Sequence, residues 1–244
     1  MECAILGIDC ATNPKKRGVV VARFGQDSTV VDESFSDLSD SDIAELVMQI
    51  KAQNGRLLLA MDAPLGWPSA MGHELVSHIA GHPIAILAND LFRRQTDRFI
   101  KKTIGKQSLD VGADRIARTA HSALTLLDVI AKHFGANIPL AWESNFTGIA
   151  TIEVYPAATL RVHGLRDSGY KKPSDRDARQ EIISGLPSNL IITNHNTLLD
   201  NADALDAAIC VLAATDFIRG TTYQPDDPDL ARKEGWIWVK AKER

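Results

Sequence analysis

"CAILGIDCA", Cys3 to Ala11, is an apolar run that stops at an acid, Asp9. A run this short, bounded by polar turn residues, reads as a buried strand. "RGVVVARF" (Arg17 to Phe24) and "STVVDESF" (Ser28 to Phe35) follow as two more strands around a turn at Gly25, which suggests an antiparallel meander. "SDSDIAELVMQIKAQNG" then predicts a helix capped by Ser41 or Asp42, with Ile43, Leu46, Val47 and Ile50 on one face and Gly55 at its end. "RLLLAMDAPLG" (Arg56 to Gly66) is a second buried strand that stops at an acid, Asp62. A helical crossover between strands implies some parallel pairing, so a mixed α/β sheet flanked by helices is expected.

Residues from about 69 to 140 are more polar and mostly helical, and read as an insertion. A strand from Ile149 to Tyr155 comes next, then a helix opening at Pro156. "DARQEIISGL" is a short helix, and "DNADALDAAICVLAA" (Asp200 to Ala214) opens the last long one, to about Arg219. "EGWIWVKA" reads as a short terminal strand packing two tryptophans. The order is βββαβαβα around a helical insertion, within a single domain over residues 1–244.

The 244 residues are 45% hydrophobic and 24% charged, ordinary for a soluble globular chain with a sizeable core. The formal charge of −4 excludes a globally cationic nucleic-acid or membrane binder, so any nucleic-acid surface must be local. Cys3, Cys10 and Cys210 show no CxxC spacing, and the N-terminus has no basic region before its apolar run. No stretch of ~18 apolar residues occurs. These features favour a reducing, cytoplasmic setting without membrane contact. A homo-oligomer is compatible with these features.

The acids carry the chemistry. If the first and fourth strands are neighbours, Asp9 and Asp62 lie within a few ångströms at their ends, where α/β sheets gather functional groups. Glu153 sits in a third strand. Asp200, Asp203 and Asp206 step three residues at a time, beside small residues Ala207, Cys210 and Ala214 that allow close approach to a sheet. Crowded carboxylates are tolerable when divalent cations lie between them, and hard oxygen ligands suit Mg²⁺ or Mn²⁺. Two such ions ~4 Å apart activate water and stabilise the leaving oxygen of a phosphodiester. Each acid also has a plainer reading: Asp200 as an N-cap with Asp203 in the first turn, Asp206 on a solvated face, Asp9 and Asp62 in turns, Glu153 paired with a base.

"GIDCA", "MDAPLGWP", "IEVYPAATL", "YKKPSDRDAR" and "DNADALDAAICVLAA", in this order, resemble domain-of-unknown-function family 429, described as predicted nucleases of RNase H-like fold. The first strand and last helix also resemble RuvC-type Holliday-junction resolvases. That likeness implies Asp9, Asp62, Asp200 and Asp203 as ligand positions, with Asp62 one methylene shorter than the Glu of the pattern. Asp206, Glu153, Tyr170, Lys171 and Arg176 match the family pattern.

The expectation is therefore a metal-dependent nuclease. Asp9 would bridge the ions, with Asp62 and Asp203 completing the shell and Asp200 or Asp206 outside. Glu153 would be a ligand or an acid behind the ligands. Arg93, Arg94 and Arg98, with Tyr170, Lys171 and Arg176, are candidates for binding a nucleic-acid substrate; the alternative is a solvated helix face paired with Asp90 and Asp97. His73, His78 and His82 lack the geometry of a zinc site. "GIDCATNPKK" also resembles the first hairpin of actin-like kinases, so an ATP-using phosphotransferase on the same core is one rival. A catalytically silent binding domain is the other.

Overall fold

A computed structural model describes residues 2–242. Six strands form one mixed sheet in the order β5-β4-β1-β2-β3-β6. Strands β1 (Cys3–Asp9), β2 (Gly18–Phe24) and β3 (Thr29–Ser36) are the antiparallel meander. Helix α1 (Asp40–Gln53) crosses over to β4 (Arg56–Asp62), which lies parallel to β1. Four helices then intervene: α2 (Ser69–Leu75), α3 (Ala88–Phe92), α4 (Gln95–Ile104) and α5 (Ile116–Phe134). Strand β5 (Gly148–Glu153) adds parallel to β4. After α6 (Pro156–Val162) and α7 (Arg176–Gly185), β6 (Leu190–Ile192) adds parallel to β3. Helices α8 (His195–Asp200), α9 (Ala202–Ile218) and α10 (Pro228–Glu234) complete the chain. A meander followed by parallel strands on its first edge, with helices on both faces, is consistent with an RNase H-like fold.

Strand alternation sorts the side chains. Cys3 and Ile5 of β1, with Leu58 and Ala60 of β4, enter the core shared with α9. Ala4, Leu6 and Ile8, with Leu57, Leu59 and Met61, enter the core beneath α1 and α5. Side chains on a strand repeat every two residues, so Gly7, Asp9 and Asp62 continue the α9-facing rows. Helix α9 is buried from Ala204 through Phe217. An apolar helix of this kind belongs in a protein interior, here against β1, β2 and β4 on one side and α6 and α8 on the other.

Several boundaries differ from the sequence reading. Ser39 caps α1: its hydroxyl accepts from the Asp42 amide at 3.2 Å, and the Asp42 carboxylate accepts the Ser39 amide at 2.9 Å. This reciprocal pair moves the start two residues upstream of Ser41. Strand β6 was not expected, because three residues are too few for a periodic signal. The terminal "GWIWVK" makes isolated bridges, Glu153 with Ile237 and Thr222 with Lys240, rather than a strand. Trp236 and Trp238 are buried as expected.

Candidate functional site

Asp9 and Asp62 are register partners at the ends of β1 and β4. Asp206 descends on them from the second turn of α9, and one carboxylate oxygen from each of the three lies within 4.8 Å of the others. Close approach of α9 to the sheet makes this meeting feasible. Gly7 faces the Ala207 carbonyl and Gly18 faces the Asp203 carbonyl so tightly that a Cβ at either position would overlap backbone. Two glycines under a helix of small residues thus set the height at which Asp206 reaches Asp9.

Two carboxylates ~4 Å apart repel by about 4 kcal/mol at an effective dielectric near 20. The acids are also poorly hydrated: Asp206 is fully buried and Asp9 nearly so. Burial first, then Asp206 and Asp62, push the Asp9 carboxyl well above its ordinary range. Burial and Asp206 raise Asp62 to about 7, opposed by Lys171 and by a hydrogen bond from Asp9. Without a cation, a proton held on Asp9 and shared with Asp62 therefore relieves part of the crowding.

Asp206 has local partners. The buried Tyr170 hydroxyl donates to its Oδ1 at 2.7 Å. The Lys171 ammonium lies 2.5 Å from Oδ2 and is the partner of that oxygen. Burial lowers the Lys171 pKa, but Asp206 and Asp62 more than reverse this and leave it raised. The Lys171 side chain is 60% exposed, so its stem is free to swing while its tip reaches the acids. Arg179 pins the loop that presents both residues, donating to the carbonyls of Tyr170 at 2.7 Å, Lys172 at 2.8 Å and Leu199 at 2.6 Å.

The other predicted residues do not join the cluster of three. Asp200 ends α8, is exposed, and pairs with Arg176 at 3.0 Å. The continuous stripe of three acids does not form, because Asn201 is extended and caps α9 by accepting the Asp203 and Ala204 amides. That break turns Asp200 away and leaves Asp203 in the first turn, half-buried at the rim. Burial and Asp206 raise the Asp203 pKa. The paired acids of the helix are thus Asp203 and Asp206, with Asp206 central; Asn201, a preferred cap residue, was the sequence signal for this shift.

Glu153 is in register with Met61, not Asp62, and so belongs to the opposite face of the sheet. There Arg94 grips it with two bonds of 2.7 and 2.8 Å, and the Leu65 amide donates to it at 2.9 Å. Burial raises the Glu153 pKa despite the opposing guanidinium. Arg94 also binds Asp97 through two bonds of 3.0 Å and is 1% exposed. Arg93 pairs with Asp110 at 2.7 Å and Arg98 with Asp90 at 3.3 Å. Each of these three arginines is engaged by a carboxylate of the protein itself.

An open cleft of about 340 Å³ fronts the acids, lined by Asp9, Asp62 and Lys171 and by Arg115 and Arg118 from the start of α5. The two arginines escaped the sequence reading, since nothing in a helical pattern tells which end overhangs a site. A second cavity of about 220 Å³ is lined by Asp62 and Lys171 and also by Arg94, Asp97 and Glu153, so the Arg94 cluster borders the acids although it does not join them.

A family model described as "Protein of unknown function (DUF429)" matches residues 7–230, which includes every acid discussed above. No curated protein and no solved structure matches the chain.

Proposed function

The chain belongs to the DUF429 family, and from that premise together with its acid cluster we propose that it is a divalent-metal-dependent nuclease. The reading is carried by one observation: Asp9, Asp62 and Asp206, remote in sequence, converge, with Asp9 and Asp62 lining a cleft and Asp206 buried behind them. The donor set fits Mg²⁺ or Mn²⁺. It is all carboxylate oxygen, it is crowded enough to retain protons at neutral pH, and the cation now beside it is the ammonium of the half-exposed Lys171. Asp9, Asp62 and Asp206 would hold the cation, with Asp203 at the rim. Bound there, the metal supplies Lewis-acid activation of water and of the phosphodiester.

The chain's own groups do the rest. Tyr170 holds Asp206 Oδ1, which fixes the carboxylate with Oδ2 turned to Lys171. Lys171 balances the acids in the cation's absence, and its exposed stem lets the ammonium move towards a phosphate when a cation takes over that role. Asp9 and Asp62 must give up their shared proton before they can ligate. Purified protein incubated with Mn²⁺ or Mg²⁺ and labelled single-stranded, duplex and branched DNA and RNA tests the reading. Metal-dependent cleavage abolished by Asp9→Asn is expected. Cleavage indifferent to Asp9→Asn and Asp62→Asn, or none with any substrate, overturns it.

A further inference from the structure

The cleft in front of the acids continues past Thr12 and Arg118 into a wider trough of about 750 Å³, lined by Trp67, Ala117, His121 and Thr125. Three observations distinguish this surface from the rest of the molecule.

First, among the described residues, the Arg115 and Arg118 side chains have no hydrogen bond or ion pair to the protein, and both are exposed. This contrasts with Arg93, Arg94, Arg98 and Arg176, each bound to a carboxylate. Uncommitted guanidiniums are the ones available to an external anion. Second, Trp67 is only half-buried, on a wall of the trough, so an indole face is offered beside the cations. Third, the walls are tied together. Buried Arg17 donates to the Ala11 carbonyl at 3.2 Å and to Ser122 at 3.1 Å, and also pairs with Asp40. Ser122 in turn donates to the Ala11 carbonyl at 3.2 Å. The loop carrying Thr12 and the first half of α5 therefore form a fixed channel.

We propose that this channel, from Asp9 and Asp62 along Thr12 and Trp67 between Arg115 and Arg118, is the track of one unpaired nucleic-acid strand. The inference deepens the nuclease reading and rests on it. Arg115 and Arg118 contact successive phosphates, and Trp67 stacks on a base. Cations following a backbone beside an aromatic face are the means by which single strands are held without regard to sequence. The strand must be unpaired because the acids it has to reach are sunk at the ends of buried strands, with Asp206 inaccessible from the surface.

The test is binding of fluorescently labelled 12-nucleotide single strands, DNA and RNA, followed by anisotropy in EDTA, where metal-dependent cleavage is silent. The wild-type protein is expected to bind a single strand more tightly than a duplex of equal length. Combining Arg115→Gln and Arg118→Gln should reduce the log–log salt slope by about 1.4, since each lost phosphate contact on a single strand removes about 0.7. Trp67→Ala should weaken binding roughly 5- to 150-fold, the range for one lost base stack. Lys132→Gln, which removes one positive charge at the far end of α5, should alter neither. Circular dichroism checks each fold, and Trp67→Phe should restore binding. No single-strand binding, tighter duplex binding, or an unchanged salt slope in the folded double variant overturns the track. The two readings fail separately. Binding as described without cleavage in Mn²⁺ removes the nuclease reading alone, and cleavage with unaltered binding in the double variant removes the track alone.

Discussion

Asp9 and Asp62 are direct neighbours across parallel strands, and the alternation of the sheet aims both at Asp206 on α9. Among the described residues, helix α9 alone places a third carboxylate over them; Asp203, one turn earlier, stays at the rim, and Asp200 belongs to another helix.

The three acids should therefore behave differently from Asp200. Asp9→Asn and Asp206→Asn should each lower metal-dependent cleavage by more than about 100-fold, since even groups that merely support metal ligands are worth 10- to 100-fold. Both should also abolish the rise in Tm produced by Mn²⁺. In the metal-free protein at pH 8, relief of buried repulsion should raise Tm by about 2–4 °C per kcal/mol recovered. Asp200→Asn should leave cleavage and the Mn²⁺ effect intact. Thermal scans with and without Mn²⁺ decide, and an Asp200 variant as impaired as the Asp206 variant contradicts the geometry.

Protons and cations should compete at this site. The folded-state pKa of Asp62 is raised from 3.8 to about 7, and that of Asp9 is also raised. Between those values the native state binds more protons than the unfolded chain, so metal-free stability falls as pH rises, by up to roughly 1.4 kcal/mol per pH unit per group. Cation binding requires the deprotonated acids, so its affinity should rise with pH, about tenfold per unit for each proton displaced below pH 7. The Mn²⁺-induced rise in Tm should be larger at pH 8 than at pH 6. A shift independent of pH would show that the cation does not displace these protons.

Glu153 should act on stability. Glu153→Gln leaves Arg94 buried with Asp97 as its remaining carboxylate partner. Breaking a buried pair from one side costs about 3–5 kcal/mol. At about 2–4 °C per kcal/mol, Tm should fall by roughly 6–20 °C. The additional rise produced by Mn²⁺ should persist in the folded fraction. A variant of normal Tm that no longer responds to Mn²⁺ would instead make Glu153 a ligand.

The fold was legible because its signals are local. Apolar runs ending in Asp9 and Asp62 marked two adjacent strand ends, and the helix between β3 and β4 required parallel pairing. The site was legible only in part. Which of Asp200, Asp203 and Asp206 faces the sheet depends on where α9 begins, and one extended residue, Asn201, decides that. Glu153 was ambiguous because a one-residue difference in register moves a side chain to the other face. Arg93, Arg94 and Arg98 were ambiguous because nearby Asp90 and Asp97 could be read as partners or not, and the distant acids that complete the pairing, Asp110 for Arg93 and Glu153 for Arg94, become neighbours only through tertiary packing. The freedom of Arg115 and Arg118 is likewise a property of the folded surface.

The tight packing of Gly7 against α9 links stability to function in a testable way. A methyl at Gly7 would occupy the space of the Ala207 carbonyl oxygen and press on Val211. Neither neighbour yields easily: one is helix backbone and the other is a fully buried side chain. Gly7→Ala should therefore lift α9 from β1, at an overpacking cost of about 1–3 kcal/mol. Asp206 rides on the same turn as Ala207, so the displacement separates it from Asp9. The variant should fold with a lower Tm yet lose its response to Mn²⁺, although every acid is retained. Gly55→Ala, where an added methyl meets nothing within 4 Å, should preserve that response. If Gly7→Ala lowers Tm but binds Mn²⁺ as the parent does, the height of α9 does not govern the cluster.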